Sequence, residues 1–284
     1  MIRYKFLSML SPFKVMHRNS RTGKHLNLVL PKYNHNLDAS YGAGPLSGWL
    51  SLDWCPADSE QKFDENWANP TKRVLLEKYG WTKTSIKYDS NRQGFRMNVD
   101  LNEVEPKSHD FYLGCSFTFG IGINAKDTWP EQMIQRNNRP GLNFGFASCS
   151  IETQYRLLRY WAPILKPRRV YTLGTFLGRR EFLEDDIPIH VGNPGNSWKN
   201  FVENPKHELF WQSEIQISHI RAYDAIRAVC MDYDAELYSI CDDKRELLFD
   251  STPGRSEARD LSHPGPIWHH HIANLSDDYW ERLA

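Results

Sequence analysis

The chain has 284 residues, with 35 basic and 35 acidic side chains and a formal net charge of zero. A chain of this length can bury enough surface to fold without disulfides or metal ions, and its 13% aromatic residues argue against intrinsic disorder. The balanced charge disfavours a nucleic-acid-binding protein that works by neutralising phosphates.

The cysteines and the N-terminal segment indicate in which cellular compartment the protein is expected. Five cysteines, an odd number without a CxxC pair, predict reduced and buried thiols rather than a disulfide framework. No stretch approaches the roughly 20 apolar residues that span a bilayer. The apolar run at residues 6–10 is short, Pro12 follows it, and no cleavage site of small residues comes after it. We therefore expect a cytoplasmic protein without a membrane span.

The first hundred residues differ from the rest of the chain. Residues 19–67 are rich in Asn, Gly, Ser, Pro and Trp without a sustained period, which predicts irregular structure pinned by Trp49, Trp54 and Trp67. The tryptophans also suit a sugar-stacking platform, although core packing is the favoured interpretation. A short helix is expected at residues 71–79. We predict that residues 1–105 form an irregular extension packed on a regular domain at residues 106–284.

From residue 110 onward, strands and helices alternate. Buried strands are predicted at residues 111–113, 141–146, 169–173 and 235–240. Helices are predicted at residues 128–136, 150–165, 208–233 and 268–275, the first with a Thr128-x-x-Glu131 capping box and the second with Ser150 as its N-cap. Strands that alternate with helices at this spacing build βαβ units and a mostly parallel sheet covered on both faces. The expected fold class is α/β.

The carboxyl ends of parallel strands are where such folds bind ligands. Ser116 follows the first strand in a tight turn between Gly114 and Gly120. An exposed serine hydroxyl beside converging backbone N–H groups is suited to acyl transfer. The turn lacks both common phosphate-loop motifs. An ordinary turn is the alternative interpretation of this segment.

A second polar segment, Asp260-Leu-Ser-His263-Pro264, opens the last helix. An Asp three residues before a His, in a rigid turn, can hold the imidazole in one tautomer. The run of residues 269–271 is three histidines, but consecutive helical side chains point about 100° apart and cannot share one ion, so no metal site is expected.

Three segments together resemble the SGNH (GDSL) hydrolases. The run 114–120 (GCSFTFG) is similar to the family's first block, G-D-S-x-[ST]-x-G, the run 143–148 (NFGFAS) to its second, N-x-G-x-x-G, and the run 260–264 to its D-x-x-H-P block. The resemblance covers roughly residues 110–275. It implies a flavodoxin-like three-layer α/β/α sandwich, with Ser116 as nucleophile, His263 as general base and Asp260 as the residue that orients the histidine.

The sequence departs from the family pattern at three places. Cys115 replaces the Asp before the nucleophile, and a thiol nucleophile is a less favoured alternative to Ser116. Ser148 replaces the second-block Gly, whose backbone N–H binds the oxyanion. The third block, G-x-N-D, is missing, so its Asn donor is absent. Arg179 or Arg180 can supply a charged replacement, although a surface arginine paired with a nearby glutamate is the favoured interpretation of at least one of them.

The resemblance implies a serine esterase that hydrolyses acyl or acetyl esters, with the backbone N–H groups of Ser116 and Ser148 as oxyanion donors. Arg179 is the candidate for the donor that the missing third block would supply. The expected substrate is a small-molecule or glycan ester, and no cofactor, metal or nucleic acid is expected. Two alternatives stay open: an O-acyltransferase that uses the same three residues, and a degenerate SGNH-fold module with a binding or structural role. The sequence leaves the oligomeric state open.

Overall fold

The computed structural model of the chain describes residues 14–18, 25–29, 39–46, 48, 50–177, 179–184, 187–191, 205–240, 256–275 and 279–282. The chain divides into two compact units after Asp38. In the first unit, β1 (Lys14–Arg18) and β2 (His25–Val29) form an antiparallel pair. All further elements belong to the second unit, and the domain boundary after residue 105 stays a prediction.

The second unit combines strands and helices in the alternating order that the sequence predicts. Its described strands are β3 (Leu50–Leu52), β4 (Tyr88–Ser90), β5 (Asp110–Gly114), β6 (Gly141–Gly145), β7 (Arg169–Leu173), β8 (Arg180–Glu184), β9 (Ile187–Val191), β10 (Glu236–Ile240) and β11 (Glu281–Arg282). Its described helices are α1 (Glu60–Ala68), α2 (Pro70–Lys78), α3 (Ser116–Phe119), α4 (Trp129–Asn137), α5 (Ile151–Leu165), α6 (Pro205–Asp232) and α7 (Pro266–Ala273). Short 3₁₀ turns lie at Ala39–Gly42, Leu101–Glu103 and Ala125–Asp127.

A five-stranded sheet forms the centre of this unit, in the order β11-β10-β7-β5-β6. The pairs β10–β7, β7–β5 and β5–β6 are parallel, and the edge strand β11 is antiparallel to β10. Counted from β5, the four parallel strands have the 2-1-3-4 order of flavodoxin-like folds. The predicted α/β class with a mostly parallel sheet is confirmed.

Helices cover both faces of the sheet because side chains alternate along each strand. On β5, Phe111 and Leu113 face a core that α5 and α6 complete, with Trp161 and Ile226 among its buried members. Tyr112 points to the opposite core, which α4 and α7 complete. The result is the three-layer sandwich that the sequence predicts.

The segment before β5 is more regular than its composition suggests. Residues 60–67 fall in the stretch predicted to be irregular, yet they form most of α1, because Ser59 caps the helix by accepting a hydrogen bond from Lys62 N at 3.2 Å. Trp54 and Trp67 both contact Phe63, and Trp49 lies outside the described residues.

A third core joins this segment to the loops of the sheet. Its buried members come from both regions, and they are Cys55, Phe63, Leu76, Trp81, Ile86, Tyr88, Phe119, Ile121, Ile123 and Ala258. Residues 119–123 follow the predicted nucleophile and residue 258 precedes Asp260. Residues 55–88 therefore support both predicted catalytic loops.

The cysteine prediction holds where it can be checked. Cys55, Cys115, Cys149 and Cys230 are buried and form no disulfide among the described residues, and Cys241 lies outside the described residues. No helix in the part of the chain that the structure describes is both long enough and apolar enough to cross a membrane.

Candidate active site

The predicted site residues lie on loops that leave the carboxyl edge of the parallel strands. Ser116 follows β5, Ser148 follows β6 and Arg179 follows β7. The strands β6 and β7 lie on opposite sides of β5, so the order of the sheet reverses between β5 and β7. Such a reversal opens a crevice at the carboxyl edge, which is the usual ligand site of open α/β sheets.

Two glycines and one asparagine build the turn that carries Ser116. A Cβ atom on Gly114 would collide with the side chain of Thr118, and one on Gly145 would collide with the backbone just after Thr118. Asn143 ties the two loops together, since its Nδ2 donates to Thr118 O at 3.0 Å and its Oδ1 accepts from Gly145 N at 2.9 Å. The first two motifs therefore require these residue types for packing.

Ser116 is the first residue of α3, but the residue is only 3% exposed, in contrast to the exposed hydroxyl that the sequence predicts. The chain after α3 is covered by the third core. Ser116 Oγ lies 4.0 Å from Cys115 Sγ, and within the described residues it makes no hydrogen bond to His263. The rings of Phe117 and His263 meet edge to face with centroids 5.9 Å apart. The imidazole thus lies beside the residue that follows the serine.

Asp260 and His263 form a hydrogen-bonded pair. His263 Nδ1 lies 2.7 Å from Asp260 Oδ2, and the Asp260 side chain is fully buried. Lys62 Nζ also lies 3.2 Å from Oδ2. Burial alone would raise the pKa of Asp260, but the hydrogen bond and charge of His263, the charge of Lys62 and the backbone N–H of Ser262 lower it below its ordinary value. Asp260 is therefore an ionised acceptor, and His263 carries its proton on Nδ1.

The other histidines of the last helix have different roles. His269 is buried, and its Nδ1 accepts a hydrogen bond from Trp129 N at 3.1 Å. Burial, together with the charges of Arg96 and His263, lowers the pKa of His269 to about 3, so it is neutral. His270 contacts Gln132 Oε1 at 2.9 Å. Among the described residues, no group of three His, Cys, Asp or Glu side chains is placed to hold a metal ion.

Two backbone N–H groups at the site have no acceptor among the described residues. Ser148 has a positive φ of 67°, a conformation that residues other than glycine adopt infrequently. Neither its N–H nor that of Ser116 donates a hydrogen bond to any described residue. Buried or half-buried N–H groups without acceptors are uncommon in folded proteins, so both are available to a ligand oxygen.

Arg179 lies at the position of the missing third motif and is only 6% exposed. Its Nη1 donates to Thr175 Oγ1 at 3.0 Å, and Thr175 in turn donates to Cys149 O at 2.8 Å, next to Ser148. Its guanidinium lies over the ring of Phe176, 4.8 Å from the centroid. Arg179 Nε is buried without an acceptor, and no carboxylate of the described residues pairs with the side chain.

The neighbouring charges are paired among themselves. Arg156 and Glu181 form a buried ion pair with Nε–Oε1 at 2.7 Å. Arg180 pairs with Glu152 at 3.3 Å. Of the two arginines that the sequence offers as an oxyanion donor, Arg180 therefore forms an ion pair with a glutamate. Arg179 is the buried arginine.

Arg96 holds the far end of the turn that begins with Ser116. Its Nη1 donates to the carbonyls of Phe119 and Gly120, and its Nη2 donates to Ile123 O at 2.7 Å. The guanidinium also lies over the Tyr88 ring, 4.5 Å from the centroid. This clamp fixes the C-terminal end of α3, whose first residue is Ser116.

Arg259 fixes the second loop in a similar way. It is fully buried and binds the carboxylate of Asp58, with Nη2–Oδ2 at 2.7 Å and Nε–Oδ2 at 3.0 Å. Tyr88 donates to the same oxygen at 2.6 Å. Because Arg259 directly precedes Asp260, this ion pair anchors the loop of Asp260 and His263 to the segment before β5. No local sequence motif indicates this contact.

Comparison with known proteins adds two solved structures. One, from Desulfitobacterium hafniense, is 14% identical over 61% of this chain and 99% of the other, with a TM-score of 0.40. The second, from Veillonella parvula, is 11% identical over 58% of this chain and 93% of the other, with a TM-score of 0.31. Both are assigned to the G-D-S-L family of lipolytic proteins. This is also the family that the sequence motifs resemble. No protein-family model and no curated protein matches the chain.

Proposed function

We propose that this protein is a serine esterase that hydrolyses acyl or acetyl esters of a small molecule or glycan. The observation that carries the proposal is the buried Asp260–His263 pair, whose imidazole lies beside the turn of Ser116. The same crevice offers the unengaged N–H groups of Ser116 and Ser148. A base, a hydroxyl and oxyanion donors are the groups that acyl transfer needs.

In the first step, Ser116 Oγ turns from Cys115 Sγ toward His263 Nε2 and gives up its proton as it attacks the ester carbonyl carbon. Catalytic hydrogen bonds are often long in the absence of substrate and tighten when it binds. Asp260 stabilises the imidazolium through Nδ1–H. The oxyanion accepts hydrogen bonds from the N–H groups of Ser116 and Ser148 and from the guanidinium of Arg179.

In the second step, the tetrahedral intermediate collapses, and His263 Nε2 gives the proton to the departing alcohol. The acyl group stays on Ser116 as an ester. Water then attacks this ester while His263 accepts a proton from it. As the second tetrahedral intermediate collapses, His263 returns this proton to Ser116 Oγ, and the carboxylic acid leaves. A sugar hydroxyl in place of water would make the same residues an O-acyltransferase.

The test is p-nitrophenyl acetate hydrolysis and fluorophosphonate labelling of the wild type, Ser116→Ala and the surface control Ser108→Ala. We expect turnover and labelling in the wild type and control and neither in Ser116→Ala. Acetyl transfer to an added polyol, measured as ester product, would favour the acyltransferase. A folded wild type that neither turns over nor labels would refute catalysis and leave a non-catalytic module with this fold.

A further inference from the structure

Lys62 reaches the catalytic carboxylate from a distant part of the chain. It lies on α1, 198 residues before Asp260, and its Nζ has three acceptors. These are Asp260 Oδ2 at 3.2 Å, Ser262 Oγ at 2.9 Å and Ala57 O at 3.3 Å. Three oxygen contacts match the three protons of an ammonium group, so the position of the charge is well defined.

The carboxylate of Asp260 is shared between the lysine and the histidine. Oδ2 accepts from His263 Nδ1 at 2.7 Å and from Lys62 Nζ, and Oδ1 accepts from the backbone N–H groups of Ser262 and His263 at 3.2 and 3.1 Å. An ionised carboxylate has about four acceptor positions, and here all four are used. A proton on the imidazole therefore meets a carboxylate whose charge Lys62 already balances.

We propose that Lys62 is a positioning residue that holds the Asp260 carboxylate against His263 Nδ1 and sets the pH range of the esterase. The ammonium group opposes protonation of the imidazole, because both cations would share one oxygen. Without the ammonium group, the uncompensated carboxylate would favour the imidazolium form more strongly. The expected effect on the esterase rate rests on the proposed function, whereas the effect of Lys62 on protonation of the His263 imidazole does not.

The other titratable or charged groups around the Asp260–His263 pair are neutral, paired with another carboxylate or bound to backbone carbonyls. His269 on α7 interacts with His263 but is neutral, since its pKa is about 3. Arg259 is neutralised by Asp58. Arg96 binds backbone carbonyls and contributes a constant positive charge in every variant. Among the described residues, Lys62 is thus the cation in direct contact with Asp260.

The experiment compares the pH dependence of kcat/KM for p-nitrophenyl acetate in the wild type, Lys62→Met and Lys62→Arg. Lys83→Met is the matched control, because Lys83 pairs with Glu60 and Asp64 on α1. We expect the acidic limb of Lys62→Met to move up by about 0.5–1 pH unit, the effect of one half-exposed charge a few ångströms away. At pH values below this limb, the shift lowers the kcat/KM of Lys62→Met about 3- to 10-fold relative to the wild type. Lys62→Arg and Lys83→Met should keep the wild-type limb.

An NMR titration of the His263 imidazole in the wild type and Lys62→Met separates the two proposals. A higher midpoint in Lys62→Met supports the electrostatic role even if the wild type has no esterase activity, in which case only the proposed function fails. Unchanged midpoints and limbs in a folded Lys62→Met protein would overturn the inference. So would an equal loss of kcat/KM at every pH, which a purely structural role predicts.

Discussion

Removing the carboxylate of Asp58 tests whether the buried ion pair holds the loop of Asp260. Arg259 and Asp58 are 0% and 1% exposed, and the carboxylate accepts charge-assisted hydrogen bonds from Nε and Nη2 of Arg259 and one hydrogen bond from Tyr88. Asp58→Ala leaves the guanidinium buried without its counter-ion. Loss of one partner of a buried pair costs about 3–5 kcal/mol, and we expect a decrease of this size in the free energy of unfolding.

The assay is urea denaturation followed by tryptophan fluorescence. The matched control is Asp53→Ala, in the same segment, because the Asp53–Lys87 pair is half-exposed and should contribute little. The double variant Asp58→Ala/Arg259→Met should recover part of the loss, since removing both charges removes the unpaired one. A decrease below about 1 kcal/mol for Asp58→Ala, or full additivity in the double variant, would refute the argument.

Three further outcomes are expected. Arg179→Gln should lower kcat for p-nitrophenyl acetate about 10²- to 10³-fold with little change in KM, the usual effect of losing one oxyanion donor; a change in KM alone would contradict that role. Cys115→Ala should keep fluorophosphonate labelling, because the proposed nucleophile is Ser116, and loss of labelling in a folded variant would instead favour the thiol. The third outcome concerns His269. Its pKa is lowered to about 3 by burial, so below pH 6.5 the unfolded chain binds a proton that the native protein does not. As the pH decreases from 6.5 to 3, this group should therefore lower the free energy of unfolding by about 1.4 kcal/mol per pH unit. In urea unfolding, the free energy of unfolding of His269→Gln should depend less steeply on pH than that of the wild type. Equal slopes would count against a buried neutral imidazole.

Much of the fold was predictable because its signals are local. The buried strands β5, β6, β7 and β10 and the helices α4 and α5 were expected from apolar spacing and from the caps Thr128 and Ser150, and the structure confirms them. The helix α1 was missed because its apolar residues are few and its stability comes largely from packing in the third core.

The sequence by itself also determined which side chains were candidates for the chemistry. A serine between two glycines after a strand, and an Asp three residues before a His, are short patterns whose geometry follows from a few backbone torsions. The Asp260–His263 hydrogen bond is of this local kind. The roles of Ser116, Ser148 and Arg179 in catalysis are proposals, and the Ser116→Ala and Arg179→Gln variants test two of them.

Only the tertiary structure decided which distant residues support these loops. Lys62 and Asp260 are 198 residues apart, and Arg259 and Asp58 are 201 apart. No local sequence pattern identifies Lys62 or Asp58 as a partner of these loops. A lysine on an amphipathic helix, for example, has the same local pattern whether it faces water or a carboxylate. The contact exists only once helices and loops pack, and the cost of burying Arg259 and Asp260 makes those partners necessary.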